Sequence, residues 1–396
     1  MVTRPSPGDD ALTPVELNRA LLSRQHLLAR ASLTAVQAVH HLVGLQAQNP
    51  SSPYPALWSR LAGFGPEELS EAMANRTVTR IAVMRGTIHL VTADDALLLP
   101  ALIEPLLAGD LRRNATYGPP LREVDLGELA AAARDLLESE PMTPVALGNR
   151  LAQRWDTDAH ALAYAARGTL PLVQVTPRGL WGRSGATTWT TTRAWLGREP
   201  VDLSDPDARL AALEEVALRY LGAFGPASVA DLQAWCGLTG LGTVLERLRP
   251  GLVVFRCPPT PSGRPGRELF DLPDAHRPAA AETPPVRFLP DFDNLTLSHA
   301  DRTRIVTDEH RRRLVTPNGY SPGTVLVDGM VAGTWTIERS REGTGRAATR
   351  AATLVVAPLE PSGSVREHRA AVLAEAEALV RLMADDAHVH GARLAA

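Results

Sequence analysis

Apolar residues fall at helical spacing along the first third of the chain, as at Leu17, Ala20 and Leu21 and again at Val36, Val39, Leu42 and Val43, with polar residues between them. That period predicts helices over 14–24, 34–44, 53–62 and 66–75, the first two entered through Thr13 and Thr34 as caps. Two short apolar segments follow, 78–83 and 87–91, around Met84-Arg85-Gly86. They predict a small β-hairpin.

The same order recurs twice. Helices are predicted over 126–137, 143–154 and 158–170, with strands at 172–176 and 187–191, and then over 207–221, 228–236 and 241–248, with strands at 252–256 and 268–271. Three helices closed by a two-stranded wing is the winged-helix plan, a variant of the helix-turn-helix, in an α+β chain. The units are expected at 12–110, 120–200 and 205–275, with 258–267 forming a wing tip and 278–286 a connector. Beyond that connector the period becomes that of strands, at 286–290, 324–327, 330–339 and 348–358, with Asp328-Gly329 as a hairpin turn. A closing amphipathic helix is predicted over 364–387, which gives a β-rich fourth domain at 286–387.

Composition narrows the chemistry. A chain of 396 residues that is 44% hydrophobic can bury a large core, in roughly two to four domains. No apolar run is long enough to span a bilayer, and MVTRPSPGDD lacks the apolar stretch of a signal peptide, so a cytoplasmic protein without a membrane partner is expected. Cys236 and Cys257 are far apart and near no histidine pair, which reads as reduced, structural thiols. The net charge of −3 gives no global reason to expect nucleic acid. All 41 basic residues are arginine, so no side-chain amine exists for Schiff-base chemistry. The chain has no Walker loop, no GxGxxG between strand and helix and no GxSxG elbow, and no cofactor is expected. The metal-ligand letters of DDAHVHG at 385–391 are read as a fraying tail, and no metal site is assigned.

Four stretches remain. GLQAQN at 44–49 places Gln46 and Gln48 where a helix meets a loop, and by itself reads as a polar helix end. MRGTIHLV at 84–91 puts Arg85, Thr87 and His89 at alternating positions, hence on one face if the segment is a strand. ERSREGTGRAATR at 338–350 clusters Arg339, Arg341, Arg346 and Arg350 around a glycine-rich turn, a hairpin that could enter a nucleic-acid groove. In FLPDFDNLTLSHADR at 288–302 the Asp and Asn residues read as a structural turn, with His299 or Arg302 touching backbone phosphate.

Taken in order, GLQAQN, RGTIHLV, LPDFDNLTLSHADR and VDGMVAGTW resemble the winged-helix DNA glycosylases of the AlkZ/YcaQ type, over residues 12–385. The resemblance implies tandem winged helices followed by a C-terminal β-barrel-like domain with a hairpin. It also implies hydrolysis of the N-glycosidic bonds of alkylated bases, including unhooking of interstrand crosslinks, and in some members self-resistance to a DNA-alkylating natural product. The family's motif of glutamine, an aliphatic residue, then glutamine or aspartate falls on Gln46, Ala47 and Gln48, which makes the two glutamines the expected catalytic pair. Asn49, Arg85, Thr87, His89, His299, Arg302, Arg339, Arg341, Arg346 and Arg350 become the expected DNA-contacting set. The expected partner is duplex DNA carrying alkylated bases, bound by a monomer.

The chemistry is physically coherent. A purine alkylated at N7 or N3 is cationic and departs without protonation, so neutral amides that hold a water and face a positive sugar suffice. The absence of lysine fits a monofunctional enzyme, and a crosslinked base is expected to stay near the stack in an open cleft. The competing reading is a winged-helix DNA-binding protein without catalysis, such as a transcription regulator; it would need a basic recognition helix, and 143–154 and 241–248 carry few arginines. A scaffold that binds protein is the third reading, marked by DNA affinity that is weak and insensitive to salt.

Overall fold

The first helices begin where the threonines place them. In a computed structural model, which describes residues 11–257, 266–314, 316, 319–342 and 349–395, Thr13 and Thr34 close capping boxes with Glu16 and Gln37. They open α1 (Pro14–Arg24) and α2 (Ala35–His41). A two-residue strand follows, β1 (Leu45–Gln46), then α3 (Pro53–Arg60) and α4 (Pro66–Ala74), each with a proline in its first turn. The hairpin β2 (Val78–Ala82) and β3 (Ile88–Thr92) pairs Ile81 with His89. A helix not expected from the sequence, α5 (Ala93–Arg113), comes next and carries Pro100 and Pro105 inside it.

The second repeat is α6 (Leu126–Ser139), α7 (Pro144–Leu151), α8 (Ala159–Thr169), β4 (Leu172–Gln174) and β5 (Trp189–Thr191), ending in the short α9 (Thr192–Leu196). Its hairpin does not stand alone: β4 pairs with β2, and one five-stranded sheet runs β1-β3-β2-β4-β5. The third repeat is α10 (Pro206–Phe224), α11 (Val229–Cys236), α12 (Gly242–Leu248) and the isolated pair β6 (Val253–Arg256) and β7 (Glu268–Asp271). Most of the expected wing tip at 258–267 lies outside the described residues. The first and third repeats share one hydrophobic core, while the second has its own around Leu129, Leu147 and Leu162. A buried bidentate pair, Arg24 with Asp271 at 2.6 and 2.8 Å, ties α1 to β7.

The last part contains β8 (Arg287–Leu289), α13 (Asp308–Leu314), β9 (Thr324–Val327), β10 (Met330–Glu342), β11 (Thr349–Pro358), α14 (Ser364–Glu367), α15 (Arg369–Met383) and β12 (Val389–Leu394). Asp328 and Gly329, at φ 51° and 81°, make the β9–β10 turn that the sequence announces. Three expectations change here. The sheet runs β12-β11-β10-β9-β8 and is open, so it is not a barrel: β8 and β12 are its two edges. The closing helix is two helices broken at His368. The supposed fraying tail becomes β12, parallel to β11, because pairing with that edge satisfies backbone groups that a free tail would leave to water.

Candidate active site

The loop that carries the two glutamines is bent into place by its backbone. After the Leu42 cap of α2 the chain passes through Val43 at φ 52° and Gly44 at φ 94° into β1. A Cβ on Gly44 would sit 2.7 Å from Val91 Cγ1 and 3.1 Å from the Leu90 carbonyl, so the close approach of β1 to β3 requires glycine. A β-branched residue at positive φ is strained by roughly 1–3 kcal/mol. The Gly44 amide donating to the Val39 carbonyl (2.8 Å) and Asn294 Nδ2 donating to the Gly44 carbonyl (2.9 Å) hold Val43 there.

Gln46 is buried opposite His89, and its Oε1 accepts from Arg85 Nη2 at 2.7 Å. A guanidinium only donates, so this bond fixes which way the amide faces. Arg85 itself sits at φ 58° in the 3-10 turn Met84–Gly86, and its Nη1 donates to the Trp235 carbonyl on α11. On the other side of the turn, Arg167 on α8 donates to the Gly86 carbonyl at 2.6 Å. Gly237, which caps α11, lies so near that a Cβ there would be 3.1 Å from Arg85 Cα. All three repeats therefore meet at the Met84–Gly86 turn, which carries the arginine bound to Gln46. Burial first, and the positive charge of Arg302 second, push the Arg85 pKa down to about 10, which leaves it charged at neutral pH.

Gln48 faces solvent, and its Oε1 accepts from the Ile88 amide at 3.3 Å. Ala47 between the glutamines is fully buried, donates to the Ile88 carbonyl at 2.8 Å and accepts from Arg80 Nη2 at 2.9 Å. Gln46 is thus held inside by Arg85 while Gln48, past the end of β1, lies exposed, with the buried Ala47 between them. The segment after β8 secures this loop from below. Asp291 accepts from Asn49 Nδ2 at 3.1 Å and from the Ser52 hydroxyl, and Asp293 forms a buried bidentate pair with Arg60 at 2.8 and 2.9 Å. The cluster read as turn chemistry is a turn, with Asp293 capping the Leu295 amide at 2.9 Å, and it is also the clamp on the glutamine loop.

A family model described as DNA glycosylase AlkZ-like matches residues 39–382, from the end of α2 to the end of α15. The chain belongs to the AlkZ-like DNA glycosylases. A curated relative from Streptomyces sahachiroi, named an interstrand DNA cross-link repair glycosylase, is 27% identical over 335 residues, 80% of this chain and 85% of the relative. The solved structure of the Streptomyces sahachiroi DNA glycosylase AlkZ superposes with a TM-score of 0.77 at 21% identity, covering 97% of this chain and all of that one; at that identity the likeness speaks for the fold. The enzyme is thus a DNA glycosylase, and the readings as a regulator or a scaffold fall away.

Within this AlkZ-like framework several expected contacts lie elsewhere. Arg85, Thr87 and His89 do not share a strand face: Arg85 is in the turn, half-buried Thr87 donates to the Met84 carbonyl at 3.1 Å, and only His89 lies in β3. His89 is wholly buried, with Nδ1 on the Thr87 carbonyl at 3.0 Å; burial, then the Arg85 charge, lower its pKa to about 3, and the ring is neutral. His299 is likewise buried against Tyr220 and Phe224, with Nε2 on the Phe224 carbonyl at 3.0 Å, and burial, then Arg304, bring it to about 3. Neither imidazole is placed to touch a nucleic-acid backbone. Half-buried Arg302 donates to the His299 carbonyl at 3.3 Å and has its pKa lowered by burial, then by Arg311.

On the hairpin, Arg341 and Arg350 are exposed cross-strand partners. Arg339 below them donates to Asp386 at 2.7 Å and to the Met383 carbonyl at 2.8 Å, and Arg346 lies outside the described residues. Asp291, Arg60, Arg167 and Trp235 act on the site without having been expected there. Their partners are far away in sequence, 242 residues for Asp291 and Asn49, and no local pattern marks them. No helix among the described residues is long and apolar enough to cross a membrane.

Proposed function

We propose that this enzyme is a monofunctional glycosylase that hydrolyses the N-glycosidic bond of cationic purines, alkylated at N7 or N3, in duplex DNA, with Gln46 and Gln48 as its catalytic pair. The observation that carries the reading is the Arg85–Gln46 bond, which pins one neutral amide beside a second, exposed one. As the C1′–N bond breaks, its electron pair neutralises the departing base and leaves an oxocarbenium-like sugar. A water adds to C1′ from the opposite face and releases its proton to solvent. With one lone pair of Oε1 engaged by Arg85, Gln46 has the second lone pair and its N–H groups for that water. Gln48 orients the water or the deoxyribose. Pre-aimed dipoles of this kind act without reorganising during the reaction.

The repeats serve in this reading as winged-helix units, and Arg339, Arg341, Arg346 and Arg350 carry the hairpin into a groove of the duplex. The name of the curated relative extends the substrate class to interstrand crosslinks. The test is release of 7-methylguanine from methylated duplex, measured by mass spectrometry, together with unhooking of a crosslinked oligonucleotide on a denaturing gel. Wild type should do both and leave an abasic site. Release that persists undiminished in Gln46→Ala would sink the assignment.

A further inference from the structure

A cavity of about 140 Å³ opens between the Asn294–Thr296 turn, α13 and the start of β9, and Thr296, Arg302, Arg311, Tyr320, Ser321 and Thr324 are among its walls. None of the described residues that line it is acidic. Half-buried Arg302 reaches the His299 carbonyl through Nε at 3.3 Å, and among the described residues both terminal nitrogens of its guanidinium are uncommitted. Thr324 is 2% exposed, and among the described residues its hydroxyl has no partner. A buried polar group in that state calls for a ligand or a water.

The acids nearby are held by other groups. Asp308 pairs with Arg311 at 3.4 Å, but both side chains are exposed and water weakens the pair. Asp301 is bound by Arg267, and Asp291, whose charge reaches Tyr320, is bound by Asn49 and Ser52. Arg302 is left with Arg311 as its charged neighbour, and burial, then that like charge, lower its pKa. An anion between the two arginines removes the repulsion, and a guanidinium fork matches phosphate oxygens two at a time. At about 30 Å³ for each water-sized group, the cavity has room for one phosphate.

The cavity adjoins the clamp on the glutamine loop. Thr296 comes two residues after Asn294, which donates to the Gly44 carbonyl at 2.9 Å, and Gly44 comes two residues before Gln46. Each of those steps spans at most roughly 7 Å of chain. On the far wall the Tyr320 ring stands edge-on to Phe292 at 5.4 Å, between the two clamping aspartates in sequence. The charge of Arg302 also reaches Arg85, the donor to Gln46.

We propose that this cavity seats one backbone phosphate of the bound duplex, a few nucleotides from the lesion, with Arg302 and Arg311 sharing its charge and the Thr324 hydroxyl donating to it. Arg302 and Arg311 are then positioning residues that set the register of the strand against the glutamine loop. The seat follows from the cavity itself, whereas the register rests on the hydrolytic reading of Gln46 and Gln48.

The experiment uses a series of duplexes that carry one 7-methylguanine and, in each member, a single phosphate replaced by an uncharged methylphosphonate. The full chain is titrated with each by fluorescence anisotropy, and base release is followed on the same duplexes. Wild type should lose about tenfold in affinity when one particular linkage is neutralised. Arg302→Gln and Arg311→Gln should each lose about as much on the unmodified duplex, become indifferent to that linkage alone, and lower the slope of log affinity against log salt by about 1. Arg311→Gln, a change at an exposed position, should keep the wild-type melting curve, so the comparison stands even if Arg302→Gln is poorly folded. Losses that simply add at every linkage overturn the proposal. Inorganic phosphate that raises the melting temperature of wild type but not of Arg311→Gln, with no coupled linkage in the series, would make this a seat for a free anion and also overturn it. A coupled linkage in a wild-type protein that releases no base would keep the seat and sink the hydrolytic reading. Normal release with no coupled linkage would do the reverse.

Discussion

Arg85, in the turn between β2 and β3, donates to the amide oxygen of Gln46 on β1 at 2.7 Å, closing a separation of 39 residues. Its other terminal nitrogen is held by Trp235 of the third repeat. Arg85→Ala leaves a buried amide oxygen and a helix carbonyl without their donor. The expected result is a fall of about 10- to 100-fold in single-turnover base release, with a stability loss of about 1–3 kcal/mol. Arg85→Lys keeps the charge and loses the fork that reaches both acceptors, so denaturation curves should recover more than the cleavage rate.

The two glutamines should respond differently. Gln46 is pinned and buried, and Gln46→Ala should cost about 100-fold or more in single-turnover rate. Gln48 is exposed and bound through one long contact, so Gln48→Asp should retain cleavage that rises with pH as the carboxylate ionises. A flat pH profile in that variant would show that position 48 does not address the water.

Asp291 and Asp293 are separated by one residue and should have opposite phenotypes. Asp291 holds the exposed end of the glutamine loop, so Asp291→Ala should lower cleavage about tenfold with little change in melting. Asp293 neutralises buried Arg60, so Asp293→Ala should cost about 3–5 kcal/mol in denaturant titration.

His89 supplies a pH signature. Its folded pKa, about 3, lies below its ordinary 6.5, so the unfolded chain takes up the proton first. Its contribution is full above 6.5 and is lost as pH falls from there towards about 3, at about 1.4 kcal/mol per pH unit. His89→Gln should flatten that part of the stability curve, read by urea unfolding at successive pH values.

Much of the architecture was legible because caps and periods are local. Thr13, Thr34 and the proline starts fixed the first helices, and Asp328-Gly329 fixed a hairpin. α5 escaped because Pro100 and Pro105 argue against a helix interior, an objection outweighed by burial of Leu99, Leu102 and Ile103. The two residues of β1 are too few to show alternation, and the joining of β2 to β4 depends on contacts across more than ninety residues. At the site, the sequence offered Gln46 and Arg85 as types without their bond. His89 and His299 showed polar letters whose burial only the packing decides.

The grip of α8 and α11 on the Met84–Gly86 turn separates owning the motif from owning the site. A fragment that ends before α10 would contain both glutamines, their strand and Arg85, yet lack the Trp235 carbonyl that steadies the guanidinium. Such a piece could fold its own helices and still present Gln46 at no fixed angle. The set of Gln46 is a property of assembly, conferred on the first repeat by the arrival of the third.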